Sequence, residues 1–431
     1  MALIIFIITI LAMMSSLIWF PKVKIYKFYL NTHWLIISTG AILMLFFGQI
    51  NLYTLLNALW NESSMNPIKL IILFIFMTII SLFLDEVGFF KWLAYQLIDR
   101  VKGSQIRIFI TVYTLTTVLT VFTSNDVIIL TLTPLIIYFT KNVKLSPLPY
   151  LFGILTAANT WSLMLMIGNP TNIYIASQQN IDFMQYLQVM WLPALVAGFS
   201  GFILIYVIFR KKLSQQMEPV VGAVILKHPW LMVIGLIHLL LCIVLLALSN
   251  LIVLEMWLIT LIIGLMVTLA GFIYLRAFKE SISPIIKTYQ RAPWSFIPMI
   301  ISMFILVRGL SDGGYTDQIG LFLQQFDPVW AYGFGSHIAS NVMNNQPMSM
   351  LFAEILSSQP ESTRLVASYA AIIGSNTGVL LTPFGALAGL MWFELLKRYG
   401  IELTVWKYIK TMFLVGTIII LLTLLALILV I

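Results

Sequence analysis

Apolar residues come in long runs along this chain, with neither the alternation of a half-buried strand nor the one-sided stripe of a surface helix. Nearly continuous runs occupy about 2–20, 34–50, 68–90, 147–176, 187–209, 229–249, 251–275, 294–310, 365–395 and 411–431. A bilayer core takes roughly 20 apolar residues per helical crossing, so the pattern predicts about ten transmembrane helices. Two further apolar segments are interrupted midway. Segment 105–141 is broken at Thr123-Ser124-Asn125-Asp126, and 329–356 is broken at Ser340-Asn341 and Asn344-Asn345-Gln346-Pro347. Each is long enough to enter the membrane, turn, and leave on the same side, and both are read as re-entrant hairpins.

Charge tests that reading. With both segments as hairpins and the N-terminus outside, 21 of the 24 Lys and Arg residues fall inside, leaving only Lys69, Arg308 and Arg364 outside. Such an asymmetry follows the positive-inside rule. If either segment crossed once, everything after it would invert and the bias would collapse. The C-terminus is then outside as well, and the chain is expected in the cell membrane.

The order crossing, crossing, hairpin, crossing, crossing covers 34–209, starting from inside, and recurs over 251–431, starting from outside. The predicted fold is an all-α membrane protein: an N-terminal scaffold helix at 1–33, a first inverted repeat at 34–209 with inner hairpin 105–141, a linker and scaffold helix at 210–250, and a second repeat at 251–431 with outer hairpin 329–356. Residues 1–33 and 210–250 stand outside the symmetry, as scaffold or as the surface of a homodimer. The uninterrupted run 411–431 reads as lipid-facing filler. Opposed repeats place a site at their interface, near the midplane.

Non-helical backbone at membrane depth is tolerated only where protein or trapped water satisfies its N–H and C=O groups. This chain has four such places. They are Ser124-Asn125-Asp126; Asn159-Thr160 followed by Gly168-Asn169-Pro170-Thr171-Asn172; Ser340-Asn341 with Asn344-Asn345; and Gly374-Ser375-Asn376-Thr377-Gly378 followed by Thr382-Pro383-Phe384-Gly385. Broken helices expose partially charged ends. Free N–H groups at N-terminal ends suit an anion or oxygen-rich solute, and side-chain and backbone oxygens suit a small hard cation. The expected solute-binding residues are Ser124, Asn125, Asn159, Asn169, Thr171, Asn172, Asn341, Asn344, Asn345, Ser375, Asn376, Thr377 and Thr382. Asp126, at a hairpin tip where a carboxylate is costly unless paired, hydrated or protonated, is the expected coupling residue, as proton carrier or cation ligand. Asp85 and Glu86 read as a helix cap or as partners of a Lys or Arg at the inner end of their crossing. His337 and His238 read as packing residues, and Pro193 and Pro298 as kinks.

Composition narrows the class. The chain is 61% hydrophobic and 9% charged, against about 25% charged in soluble domains, which leaves no room for a soluble domain. The net charge of +8 is topological and implies no nucleic-acid partner. The first twenty residues lack a basic flank and a cleavage site and read as a retained helix. A lone Cys242 rules out an intrachain disulfide and a thiolate metal cage. No His-Glu metal motif or Gly-x-Ser-x-Gly points to an enzyme. No Gly-x-x-x-x-Gly-Lys loop is present, so energy comes from an H⁺ or Na⁺ gradient or from a separate ATPase subunit. No other cofactor is expected.

Several motifs carry a resemblance. They are Trp19-Phe20-Pro21-Lys22, Ser81-Leu82-Phe83-Leu84-Asp85-Glu86-Val87-Gly88-Phe89-Phe90, Asn125-Asp126 leading to Leu132-Thr133-Pro134, Ala292-Pro293-Trp294, Met343-Asn344-Asn345 with Pro347, and Ile373-Gly374-Ser375-Asn376 through Thr382-Pro383-Phe384-Gly385 to Trp392. Together they resemble the ArsB-type arsenite permeases, within the ion-transporter superfamily that includes the divalent-anion/sodium symporters. The resemblance implies a secondary transporter for a small inorganic oxyanion or hydroxide, such as arsenite, or for a carboxylate. A Na⁺/H⁺ antiporter is the alternative. Such permeases usually carry Asp where this chain has Asn159 and Asn376, and Gly168-Asn169-Pro170-Thr171-Asn172 departs toward the anion-permease branches. Two fewer carboxylates in the cavity favour an anionic or neutral solute.

Overall fold

The computed structural model describes every residue except 21, 26–27, 51–52, 54, 57–65, 101–103, 216–225 and 250. Pro21, Lys27, Lys102 and part of the 210–250 linker therefore lie outside the described residues. The chain opens with α1 (Ala2–Trp19), then a two-stranded antiparallel ribbon, β1 (Lys22–Ile25) and β2 (Phe28–Asn31), with Lys22 opposite Asn31. This ribbon is the one departure from an all-helical chain among the described residues. It falls in a loop whose β-branched and aromatic residues suit a pleated strand.

The first repeat contains α2 (Thr32–Phe46), α3 (Pro67–Glu86), a short α4 (Phe89–Arg100), the hairpin arms α5 (Gln105–Phe122) and α6 (Asn125–Asn142), the broken crossing α7 (Leu148–Trp161) and α8 (Pro170–Gln178), and α9 (Phe183–Leu213). After α10 (Pro229–Ala247) the second repeat contains α11 (Met256–Ala277), a connecting α12 (Ser283–Arg291), α13 (Phe296–Asp312), a short α14 (Tyr315–Leu323), the arms α15 (Pro328–Met343) and α16 (Asn345–Ser357), the broken crossing α17 (Glu361–Thr377) and α18 (Leu387–Arg398), and α19 (Val405–Val430).

Local chemistry sets the boundaries. Asn66 caps α3 by accepting from the Ile68 N–H at 2.9 Å, with Pro67 as first helical residue. The apolar run read as 68–90 stops at Glu86, because Gly88 turns the chain at φ +86°, a region open to glycine. Phe89 and Phe90 therefore begin α4 instead of completing a crossing.

The packing pairs the repeats. Helix α2 packs on α13 as α11 packs on α3; α6 packs on α18 as α16 packs on α8; α9 and α19 pack on each other. Each hairpin's second arm thus rests on the broken crossing of the other repeat. Among the described residues seven segments are long and apolar enough to span a membrane: α3, α5, α9, α10, α11, Ser283–Asp312 and α19. The other expected crossings are the shorter α1 and α2 and the broken pairs α7/α8 and α17/α18. Helix α3 is 78% buried over its most apolar window and α10 only 28%, which makes α3 a central crossing and α10 a peripheral one.

The last helix is more than filler. One face of α19 buries Tyr408, Met412, Val415, Ile419, Ile420 and Leu424, and the Tyr408 hydroxyl donates to the Val379 carbonyl. Gly416 lies so close to the unwound chain that a Cβ there would stand 2.9 Å from the Leu380 carbonyl carbon. Helix α19 props the break in the second repeat, a role that its unbroken hydrophobicity conceals.

Candidate solute site

The hairpin tips and helix breaks form one chain of contacts. At the first tip, Ser124 is the extended residue before α6, and the Asn125 amide donates to Asn159 Oδ1 on α7 at 3.2 Å. Asn125 Oδ1 accepts from the Asp126 N–H at 2.9 Å, and the Asn159 amide donates to the Leu155 carbonyl at 2.8 Å.

Beyond Trp161 the first break folds back on itself, with Gly168 so near Ser162 that a Cβ would lie 2.4 Å from the Ser162 carbonyl oxygen. Asn169 then caps α8, accepting from the Thr171 N–H at 3.1 Å. Across this break lies Asn376 of the second repeat. Its Oδ1 accepts from Ser162 Oγ at 2.8 Å and from Asn169 Nδ2 at 2.9 Å, while its Nδ2 donates to Asn172 Oδ1 at 2.6 Å and to the Ile372 carbonyl at 2.9 Å. Two acceptances and two donations saturate a carboxamide. The Asn172 amide donates to the Ser162 carbonyl at 2.8 Å, and Ser375 Oγ donates to Thr171 Oγ1 at 2.7 Å. All of these side chains are buried.

The second tip ties to its own break. Thr377 Oγ1 meets His337 Nδ1 at 2.9 Å, Thr382 Oγ1 donates to Asn341 Oδ1 at 2.6 Å, and the Asn341 amide donates to the His337 and Gly378 carbonyls at 2.8 and 3.0 Å. The Asn344 amide donates to the Phe384 carbonyl at 3.1 Å, and Asn345 is buried at the start of α16. His337 is half satisfied: its Nε2 is buried with no partner among the described residues. Ser340-Asn341 lies one turn inside α15. The true counterparts of Ser124, Asn125 and Asp126 by position at the tip are Asn344, Asn345 and Gln346.

A cavity of about 1260 Å³ reaches the first tip. Of the expected site residues only Ser124 and Asp126 line it; Pro383 and Phe384 form part of its wall, and Lys397 and Arg398 stand exposed at its rim. Thr171 and Gln346 border a void of about 30 Å³ instead. Arg291, also on the cavity wall, is held 2.7 Å from Asp85 Oδ2 and in contact with Glu86 Oε1, so the two acids at the end of α3 are partners of an arginine.

The citrate transporter (CitMHS) family model matches residues 4–369. The chain belongs to the CitMHS family. Within this family of membrane transporters it is similar to the arsenical pump membrane protein of Escherichia coli, 28% identical over 394 residues covering 87% of this chain and 88% of that one. The arsenical pump membrane protein of Yersinia enterocolitica is 27% identical over 375 residues, covering 82% and 83%. The fold is that of the Alcanivorax borkumensis YdaH transporter, a solved structure of unusual topology, with a TM-score of 0.59 at 14% identity over 99% of this chain and 97% of that one.

For this CitMHS member, sequence reasoning passed over two polar residues. Ser162 binds Asn376, and its only signal was a hydroxyl between Asn159-Thr160 and the Gly168 break. His33 lines the cavity and was hidden in a stretch read as scaffold.

Proposed function

We propose that this chain is a secondary active transporter of a small, neutral, hydroxyl-bearing solute, of which trivalent arsenic hydroxide is the type, driven by a proton or sodium gradient through Asp126. The observation that carries the reading is the place of Asp126: it faces the large cavity, and no cation among the described residues pairs with it. A carboxylate at membrane depth without a counter-ion takes up a proton or a cation, or is hydrated. The cations that line the cavity are Arg291, neutralised by two acids, and the exposed Lys397 and Arg398. A multiply charged anion at the tip would meet a carboxylate and no fixed cation. A solute bearing O–H groups can donate to Asp126 and accept from Ser124. The relatives named as arsenical pumps support the same solute class. With the basic rim inside, this state opens to the cytoplasm and both termini lie outside.

The test is flux in proteoliposomes under an imposed pH or sodium gradient, with arsenite, antimonite and citrate as probes. Arsenite should move and citrate should not compete, and Asp126→Asn should abolish gradient-driven flux while the variant still folds. Full coupled transport by that variant would remove Asp126 from the role. Citrate flux in place of arsenite would overturn the solute class, and sodium–proton exchange without any solute would make the chain an antiporter.

A further inference from the structure

We infer that His33 is a solute contact, so that the first turn of α2, at the edge of the stretch read as scaffold, supplies part of the binding site. The residue is the second of α2, directly after the ribbon. Its side chain is more than nine-tenths buried, at 7% exposure, yet it lines the same cavity as Ser124 and Asp126. It also borders the void of about 10 Å³ at the second hairpin tip, beside Asn344 and Gln346. His33 therefore stands between the open tip of one repeat and the closed tip of the other.

No described residue donates to its ring or accepts from it. Its ring nitrogens are not among the enclosed polar atoms that lack a partner, so they keep access to the cavity, and polar groups so placed are ordinarily satisfied by protein or water. Here the open side is the cavity, so whatever fills the cavity completes the imidazole. A neutral imidazole offers one N–H donor and one acceptor nitrogen. That pair matches a solute oxygen that is itself both acceptor and donor, as in a metalloid hydroxide or a protonated oxyacid. Asp126, if ionised, can only accept. His33 thereby adds a second donor beside the Ser124 hydroxyl, and the inference rests on the transporter reading above.

The full-length chain in proteoliposomes tests it with arsenite as probe. His33→Leu should raise KM by about 10-fold, the effect of losing one such hydrogen bond, with kcat changed much less. His33→Gln, which keeps a donor and an acceptor, should stay within about 3-fold of wild type on the same scale. A KM unchanged in His33→Leu, or a change confined to kcat, overturns the inference. A second measurement does not depend on which solute is carried. Cys242 is buried, so His33→Cys in a Cys242→Ser background presents one thiol to a membrane-impermeant maleimide. Labelling from one face of the membrane only is expected, and no labelling from either face overturns the proposal even if both variants fold. If the wild-type chain carries no arsenite while the His33→Cys variant still labels, the solute assignment is at fault instead.

Discussion

The two hairpin tips occupy equivalent places in the two repeats and are built differently. At the first, Thr123 and Ser124 are extended at φ −137° and −95°, and Asp126 opens onto about 1260 Å³ of cavity. At the second, Asn344 is held at φ +69° and ψ +153°, backbone that only glycine adopts readily, at a cost of about 1–3 kcal/mol. Its amide bonds the Phe384 carbonyl, and Gln346 replaces the acid above voids of about 10 and 30 Å³. One tip is a relaxed mouth and the other a strained seal. An inverted repeat caught in a single state should look like this, because opening one half toward its side of the membrane closes the other.

The sharpest way to break that contrast is at Asn376, on the knot that joins the repeats. Asn376→Leu removes four hydrogen bonds and orphans Asn169 Nδ2 and Asn172 Oδ1 in a buried setting, while the Ser162 hydroxyl falls back on the Asn159 carbonyl at 3.2 Å. At about 1 kcal/mol net per bond, and more for each group left unpaired, the loss should reach roughly 4 kcal/mol. Thermal unfolding in detergent should show it as a large fall in Tm, whereas Asp126→Asn should hold wild-type stability. Equal melting of the two variants would erase the distinction between a structural knot and a cavity group.

A smaller effect separates strain from hydrogen bonding at the seal. Asn344→Ala loses the bond to Phe384 and the cap on the Gln346 N–H and keeps a Cβ in the strained backbone, a cost of about 2 kcal/mol. Asn344→Gly loses the same two bonds but relieves the backbone, and should recover about 1 kcal/mol of that loss. If alanine proves no worse than glycine in a denaturant titration, the tip is not strained.

Much of this arrangement was legible beforehand, for a physical reason. Lipid forbids unsatisfied backbone, so Asn, Ser, Gly and Pro clusters at membrane depth marked breaks, and each of the four regions holds one, although Ser340-Asn341 itself stays helical. Which side chains bind one another was not legible. Asn376 and Ser162 are more than two hundred residues apart, and their meeting depends on how the repeats cross. The interruption read at Ser340-Asn341 lies one turn inside α15, before the tip at Asn344, since composition locates a hairpin but not its tip. The role of α19 was hidden for a similar reason: its polar contribution is one Tyr hydroxyl and one glycine of close approach. His33 was missed because a lone histidine beside a basic loop carries no signal until the cavity next to it is seen.

The smallest effect lies away from both tips, at contacts that the symmetry also pairs. Helices α2 and α13 are joined by Ser38 and Ser302, their hydroxyls 2.9 Å apart. Their counterparts α3 and α11 are joined by Lys69 and Glu255 at 2.6 Å. The ammonium of Lys69 holds the Glu255 carboxyl below its ordinary value, with the Trp257 indole N–H helping and partial burial opposing. A carboxyl depressed on folding contributes stability above its unfolded pKa of about 4.3, and that contribution is lost as pH falls through the folded value. Glu255 is 59% exposed, so solvent screening limits the pair to under about 1 kcal/mol. Glu255→Gln should therefore melt slightly below wild type at pH 7, with the gap closing below about pH 4. Ser38→Ala should lose the same small amount at every pH, because neither hydroxyl titrates. A Glu255→Gln gap that ignores pH would mean that the ion pair adds nothing, and that the two joints differ in sequence alone.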